Sequence, residues 1–197
     1  YLPEVTKYDI SATKGRFRVQ DFSTDRLRLK VNSDRANVIT MMPGGVVTRK
    51  ETAEITRDEN GFFVYDPARD IVKIAVIERH HGTGNVAVAL LKDYGLKRGA
   101  IALSIAHDSH NIIVVGTSDA DMAYAVQRLI EQDGGIVLVL DQNVLESLSM
   151  PIAGLMSDRS GEWVDEQLTR IHRTAVDVLG VRENLEPVMQ LCFMALP

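Results

Sequence analysis

The sequence predicts an α+β domain: a predominantly antiparallel sheet of several strands with two main helices packed on it. Three observations carry this. Much of the chain is a series of short apolar or alternating segments at roughly ten-residue spacing, punctuated by Gly, Pro and Asn, as antiparallel strands are. The two clear helical stripes come late, from Ser118 to Gly134 and from Val164 to Gly180. That order, many strands followed by helices, differs from the regular alternation of a doubly wound sheet.

Residues 1–15, "YLPEVTKYDISATKG", show no periodicity and are expected to be a connector from a preceding domain, with residues 16–197 forming the domain itself. From there to residue 65 the signal is β. "RLRLKV" alternates strictly, and "ANVITMM" ends at the turn Pro43-Gly44-Gly45. "VVTRKETAEI" is the second arm, and "DENG" turns the chain into "FFVYD". Ile71 to Ile77 is a buried strand running into a bend at Gly82 and Gly84. In "NVAVALLKDYG" Val86, Val88 and Leu90 alternate with Ala87 and Ala89, which favours strand over helix. In "AIALSIA" Ile101, Leu103 and Ile105 face one way, with Ala100, Ala102, Ser104 and Ala106 on the other. Two strands with a large and a small face imply close approach of a helix, a sheet or a neighbouring domain on the small side. "NIIVVG" is apolar on both faces, as a central strand should be.

The first helix opens on Ser118 and Asp121, a capping box with Asp for Glu, and buries Met122, Val126, Leu129 and Ile130. Gly134-Gly135 end it. "IVLVLDQNVLESL" is a hairpin about Asp141 to Asn143. The second helix carries the stripe Val164, Leu168, Ile171, Ala175, Val178 and Leu179 and stops at Gly180. Glu166/Arg170 and Arg173/Asp177 are i,i+4 pairs on its wet face.

Composition sets outer bounds. The net charge is −5 and no basic block occurs, so a nucleic-acid partner has no electrostatic support. No apolar run reaches the ~18 residues of a membrane span, and no signal peptide is visible, so the cytoplasm is the default location. The single Cys192 excludes an intrachain disulfide framework and any CxxC metal site, and its apolar run suits core better than nucleophile. An opening at Tyr1 and a close on "LCFMALP" lead to the expectation of a piece of a longer polypeptide.

Chemistry concentrates at two strand ends. Four of the five histidines, His80, His81, His107 and His110, lie there, the last two in the polar plug "HDSHN", His107 to Asn111. A local metal centre would need residues three apart on one face, which a strand end denies unless a turn intervenes. A dyad needs a carboxylate on a ring nitrogen, for which the adjacent His107 and Asp108 are ill placed, although Asp108 with His81 or Ser109 with either histidine would serve. A plain turn is the simplest reading, since Asp108, Ser109 and Asn111 are common turn formers whose side chains bond nearby amides. A fourth alternative is that the plug lines a site formed mainly by another domain. "HGTGN" could cradle an anion with backbone amides or simply bend the chain. The fifth histidine, His172, suits a partly buried structural role.

The motifs "MPGGVVTR", "VIERHHGTGN", "GLKRGAIALSIAHDSHNIIVVG", the "DADMAYAVQRLIE" helix with its Gly-Gly, and "MPIAGLMSD" occur in one order. Together they resemble the C-terminal domain of bacterial adenine deaminases of the amidohydrolase superfamily. One departure is Leu103, where a small residue is expected. The resemblance implies hydrolysis of adenine to hypoxanthine and ammonia at a divalent metal (Mn, Fe or Zn) in an N-terminal (β/α)8 barrel. That barrel is then the partner of this domain, and no metal ligand falls on this chain. The fragment alone is expected to be inactive. His107, Asp108, Ser109 and His110 become candidates to line the catalytic site, and His80, His81 and Asn111 candidates to bind substrate. The alternatives are a non-catalytic binding or homo-oligomerisation module and an autonomous His-based hydrolase.

Overall fold

A computed structural model describes residues 9–196. Ten strands form: β1 (Arg35–Met41), β2 (Thr48–Glu54), β3 (Thr56–Arg57), β4 (Phe63–Val64), β5 (Ile71–Ile77), β6 (Val86–Lys92), β7 (Ala100–Leu103), β8 (Ile112–Gly116), β9 (Gly135–Leu140) and β10 (Asn143–Ser149). Three α-helices accompany them: α1 (Asp119–Glu131), α2 (Gly161–Asp177) and α3 (Pro187–Cys192). Eight strands make one sheet in the order β10-β9-β7-β8-β5-β6-β1-β2, and β3 pairs with β4 apart from it. Every neighbouring pair in the large sheet is antiparallel except β1 with β6. The α+β class and the mainly antiparallel sheet follow the sequence expectation.

Side-chain alternation sorts the core into two layers. Ile74, Ile101, Leu103, Ile113, Val115, Ile136 and Leu138 face α2 and α3, where Ile171, Ala175, Leu179 and Leu191 complete one cluster. Ala75, Ile77, Ala100, Ala102, Ile112, Val114, Val137 and Val139 face α1 and meet Met122, Ala125, Val126 and Leu129. Alternate residues on neighbouring strands share a face because the pleat has period two. Leu103 therefore belongs to the large face and leaves the small face undisturbed.

The small face of β7 is what lets α1 approach. Ala100 and Ala102 are fully buried beneath it, and a Cβ added at Gly116 would overlap the Met122 side chain. The helix, rather than a neighbouring domain, covers these alanines. In β6 the polarity of faces is reversed: Val86 and Val88 pack toward α1, while Ala87 is exposed.

Several local expectations hold and others are corrected. Ser118 caps α1 by accepting from the Asp121 amide, but Asp121 does not close the capping box. Its carboxylate instead accepts from the amides of Asp141 and Gln142, at 3.3 and 2.8 Å, and so holds the β9–β10 turn. Both turn residues have positive φ (50° and 57°), the conformation of a tight hairpin matched to strand twist. "RLRLKV" is not a strand. A 3-10 turn spans Thr24–Leu27, after which the chain pairs with the 61–63 segment only through an isolated bridge at Lys30 and Phe62 and neighbouring bonds. The helix pair Glu166/Arg170 gives way to a bridge from Arg170 to Glu146 of β10 at 3.0 Å. Within the expected connector, residues 1–8 lie outside the described residues. Gly15 donates to Asp133 at 2.9 Å, beyond the end of α1.

Candidate functional site

Because β5 pairs antiparallel with β8, Ile77 lies opposite Ile112. The segment leaving β5 and the segment entering β8 are therefore neighbours at one end of the sheet. These are the two histidine motifs, and the pairing brings them together: His80 Nε2 lies 2.9 Å from the carbonyl oxygen of Ser109.

Each loop is shaped by a residue that the sequence did not single out. In the first it is Glu78. Its carboxylate accepts from the amides of His80, His81 and Thr83 at 2.5, 2.7 and 3.0 Å, and from the Thr83 hydroxyl at 3.0 Å. The amide cradle of "HGTGN" thus holds an anion, and the chain supplies it. Burial pushes the Glu78 pKa up, but these four donors outweigh it and bring it down to about 2. The linkage sign follows. With the folded pKa depressed, the stabilisation is full above the ordinary carboxylate pKa near 4.5 and fades as pH falls toward about 2. The amide resonances of His80, His81 and Thr83 are accordingly expected to titrate near pH 2. A midpoint at the ordinary Glu value, followed by NMR, would contradict this role.

In the second it is Arg79, only 2% exposed. It donates through Nε to the His110 carbonyl at 2.5 Å and through Nη2 to the Ala153 carbonyl at 3.1 Å, with its guanidinium 4.4 Å from the Phe17 ring centroid. None of its partners among the described residues is a carboxylate. A cation held by carbonyls and a ring ties three segments at one point: its own loop, the "HDSHN" loop and the "MPIAGLMSD" loop. Ser104 reinforces the third, donating to the Gly154 carbonyl at 2.6 Å while accepting from the Gly135 amide at 2.8 Å.

The plug itself is a turn, so the opposite-face objection is removed, yet no local metal centre results. The His107 amide donates to the Cys192 carbonyl at 2.6 Å, and its ring stacks on Phe193 at 5.3 Å. His110 has φ 53° and donates its amide to the Ala106 carbonyl at 2.7 Å. His81, His107, Asp108 and Ser109 are exposed, whereas His110 Nδ1 and Asn111 Oδ1 are buried without a hydrogen-bond partner. The His80 ring meets a backbone carbonyl and the His107 ring an aromatic face, so neither is oriented by a carboxylate. Among the described residues no three His, Cys, Asp or Glu side chains are placed to hold a metal ion. Cys192 is core, and burial pushes its thiol up to about 11. His172 is half-buried, with Nδ1 3.3 Å from Glu186.

The fold and site define a class: an α+β domain presenting one organised polar end, without a metal site among its described residues. Comparison with known proteins makes the class specific. The profile of the adenine deaminase C-terminal domain matches residues 45–197, and the chain belongs to that family. Adenine deaminase 2 of Desulfotalea psychrophila is 63% identical over 196 residues, covering 100% of this chain and 34% of the relative. The adenine deaminase of Ligilactobacillus salivarius is 46% identical over 196 residues, again 100% of this chain and 34% of the relative. Adenine deaminase 2 of Carboxydothermus hydrogenoformans is 45% identical over 197 residues, 99% of this chain and 34% of the relative. The chain therefore spans about a third of the length of the curated relatives it matches.

Proposed function

We propose that this chain, with its domain proper at residues 16–197, is the C-terminal part of a cytoplasmic adenine deaminase and forms one wall of its active site. The observation that carries the reading is the convergence of the two histidine loops at one sheet end, held from behind by Glu78 and Arg79. Loops on a rigid scaffold are where binding groups are placed. An unpaired buried polar atom costs about 1–3 kcal/mol, so His110 Nδ1 and Asn111 Oδ1 favour an arrangement completed by contact with another surface.

Among the described residues no side chains are grouped to hold a metal ion; in this reading the divalent metal is assigned to the N-terminal barrel. What this domain offers is recognition. Deamination replaces the exocyclic amine of a planar purine by oxygen, so the substrate presents ring nitrogens and an N–H edge. Exposed imidazole, carboxylate and hydroxyl groups at His81, His107, Asp108 and Ser109 pair with such edges, and a histidine or Asp108 can hand a proton to the departing amine. His80 ties the two loops together behind them through the Ser109 carbonyl, and the Asn111 amide donates to the Ser109 hydroxyl within the plug.

The test uses the intact enzyme. His107→Ala and His110→Ala are expected to lower turnover of adenine about tenfold, the worth of one lost hydrogen bond, while metal content stays at the wild-type level. Metal lost in step with activity would make these residues ligands, and unchanged turnover would reduce the plug to a turn.

A further inference from the structure

The apolar stripe of α2 is not buried along its whole length. Its C-terminal half, Ile171 and Ala175, is buried, but Leu168 one turn earlier is 37% exposed, and Met189 on α3 is 56% exposed. Between the two helices lies a groove of about 570 Å³ whose floor includes Ile105, Val188 and Cys192. We propose that this groove is the docking surface for the N-terminal portion of the same polypeptide.

Two further observations select that occupant. First, relatives are about three times as long as this chain, which covers 34% of them and matches their C-terminal domain, so the proposed reading supplies a large N-terminal body on the same polypeptide to occupy the groove. Second, the groove is continuous with the polar end of the sheet. Ile105 leads directly into the plug, and Cys192, on the groove floor, accepts from the His107 amide through its carbonyl. A body filling the groove would therefore also meet His107 and Asp108. On the opposite face α1 covers the sheet, and the groove along its flank, lined by Phe17, Val19, Phe22 and Tyr124, includes no residue of either histidine loop. The β2 edge, Thr48–Glu54, is largely charged, as solvated edges are. Leu168 and Met189 then act as anchors, with the His172–Glu186 pair at the polar rim.

This rests on the reading of the chain as one domain of a longer enzyme, but its test is independent of turnover. In the intact enzyme, Met189→Cys and, separately, Leu168→Cys are labelled with a maleimide, and each site is followed by peptide mass spectrometry. Glu59→Cys, in an exposed turn, is the reference. Docking predicts labelling on the order of a hundredfold slower at both sites than at Glu59→Cys, since the groove must open first, and unchanged protection on dilution to monomer. Labelling as fast as the reference overturns the proposal. Protection that vanishes on dilution overturns it too, and assigns the groove to a second copy of the chain. Loss of the predicted His107→Ala effect with the groove still protected would sink the active-site reading and leave the docking surface standing.

Discussion

Replacing Arg79 by Met is expected to lower turnover of the intact enzyme about a hundredfold, more than loss of either plug histidine. Arg79 touches no exposed face of the site, so the effect comes from position. Its Nε and Nη2 hold the carbonyls of His110 and Ala153, and removing both donors frees two loops at once. Misplacement of binding groups by about 1 Å costs on the order of 10² in rate. Stability should fall less than the hydrogen bonds alone imply, by about 2–4 kcal/mol, because Met also removes a buried charge whose desolvation was costly. Arg79→Lys separates the contributions. It keeps the charge but reaches only one carbonyl, so it should restore part of kcat and leave KM raised. A variant that lost stability with kcat and KM unchanged would make Arg79 purely structural.

Gly135→Ala is expected to destabilise the protein by about 4 kcal/mol or more, the largest stability effect of a single methyl group in this domain. Gly135 opens β9 with φ 106°, a region that L-residues avoid, and its Cβ would collide with the Leu148 carbonyl oxygen on β10. Relief by shifting β9 would break the Ser104 hydroxyl bond to the Gly135 amide and disturb the "MPIAGLMSD" loop that Arg79 also holds. Gly161→Ala is the matched control. It sits at the start of α2 with nothing within 4 Å of the added Cβ, so it should be neutral or stabilising by up to about 1 kcal/mol. Urea midpoints for the two variants check the contrast, and equal midpoints would contradict it.

The strands and helices with strong periodicity were legible from the residues. β5, β7, β8, α1, the β9–β10 hairpin and α2 all lie where a continuous apolar run, alternation or a 3.6-residue stripe places them. The small face of β7 announced a close neighbour, and α1 proved to be that neighbour. What stayed hidden depended on contacts distant in sequence. "RLRLKV" has perfect alternation but finds only an isolated bridge, so the pattern had no partner strand to satisfy. α3 is six residues long with Pro187 at its start, too short for a stripe to register in "LCFMALP" and the residues before it. Arg170 turned to Glu146 rather than Glu166 because β10 packs beside α2, which no helical spacing reveals.

The site divides in the same way. That both histidine loops end apolar strands was plain, and strand pairing then made them neighbours. Glu78 and Arg79 passed as ordinary charges at a strand end. The available signal was a charged pair directly following the four apolar residues Ile74 to Ile77 of a buried strand, in front of a Gly-rich bend whose amides needed an acceptor. Leu168 was likewise written in the α2 stripe, but only the packing of the neighbouring elements shows that it is left exposed.

The most direct measurement is a crystal structure of the intact enzyme with hypoxanthine bound. The expected result is that a side chain among His80, His81 and the residues 107–111 lies within about 3–4 Å of the purine or of a group touching it, with Leu168 and Met189 buried against the N-terminal portion. Both histidine loops facing solvent, away from the purine, would contradict the assignment of this domain to the active-site wall.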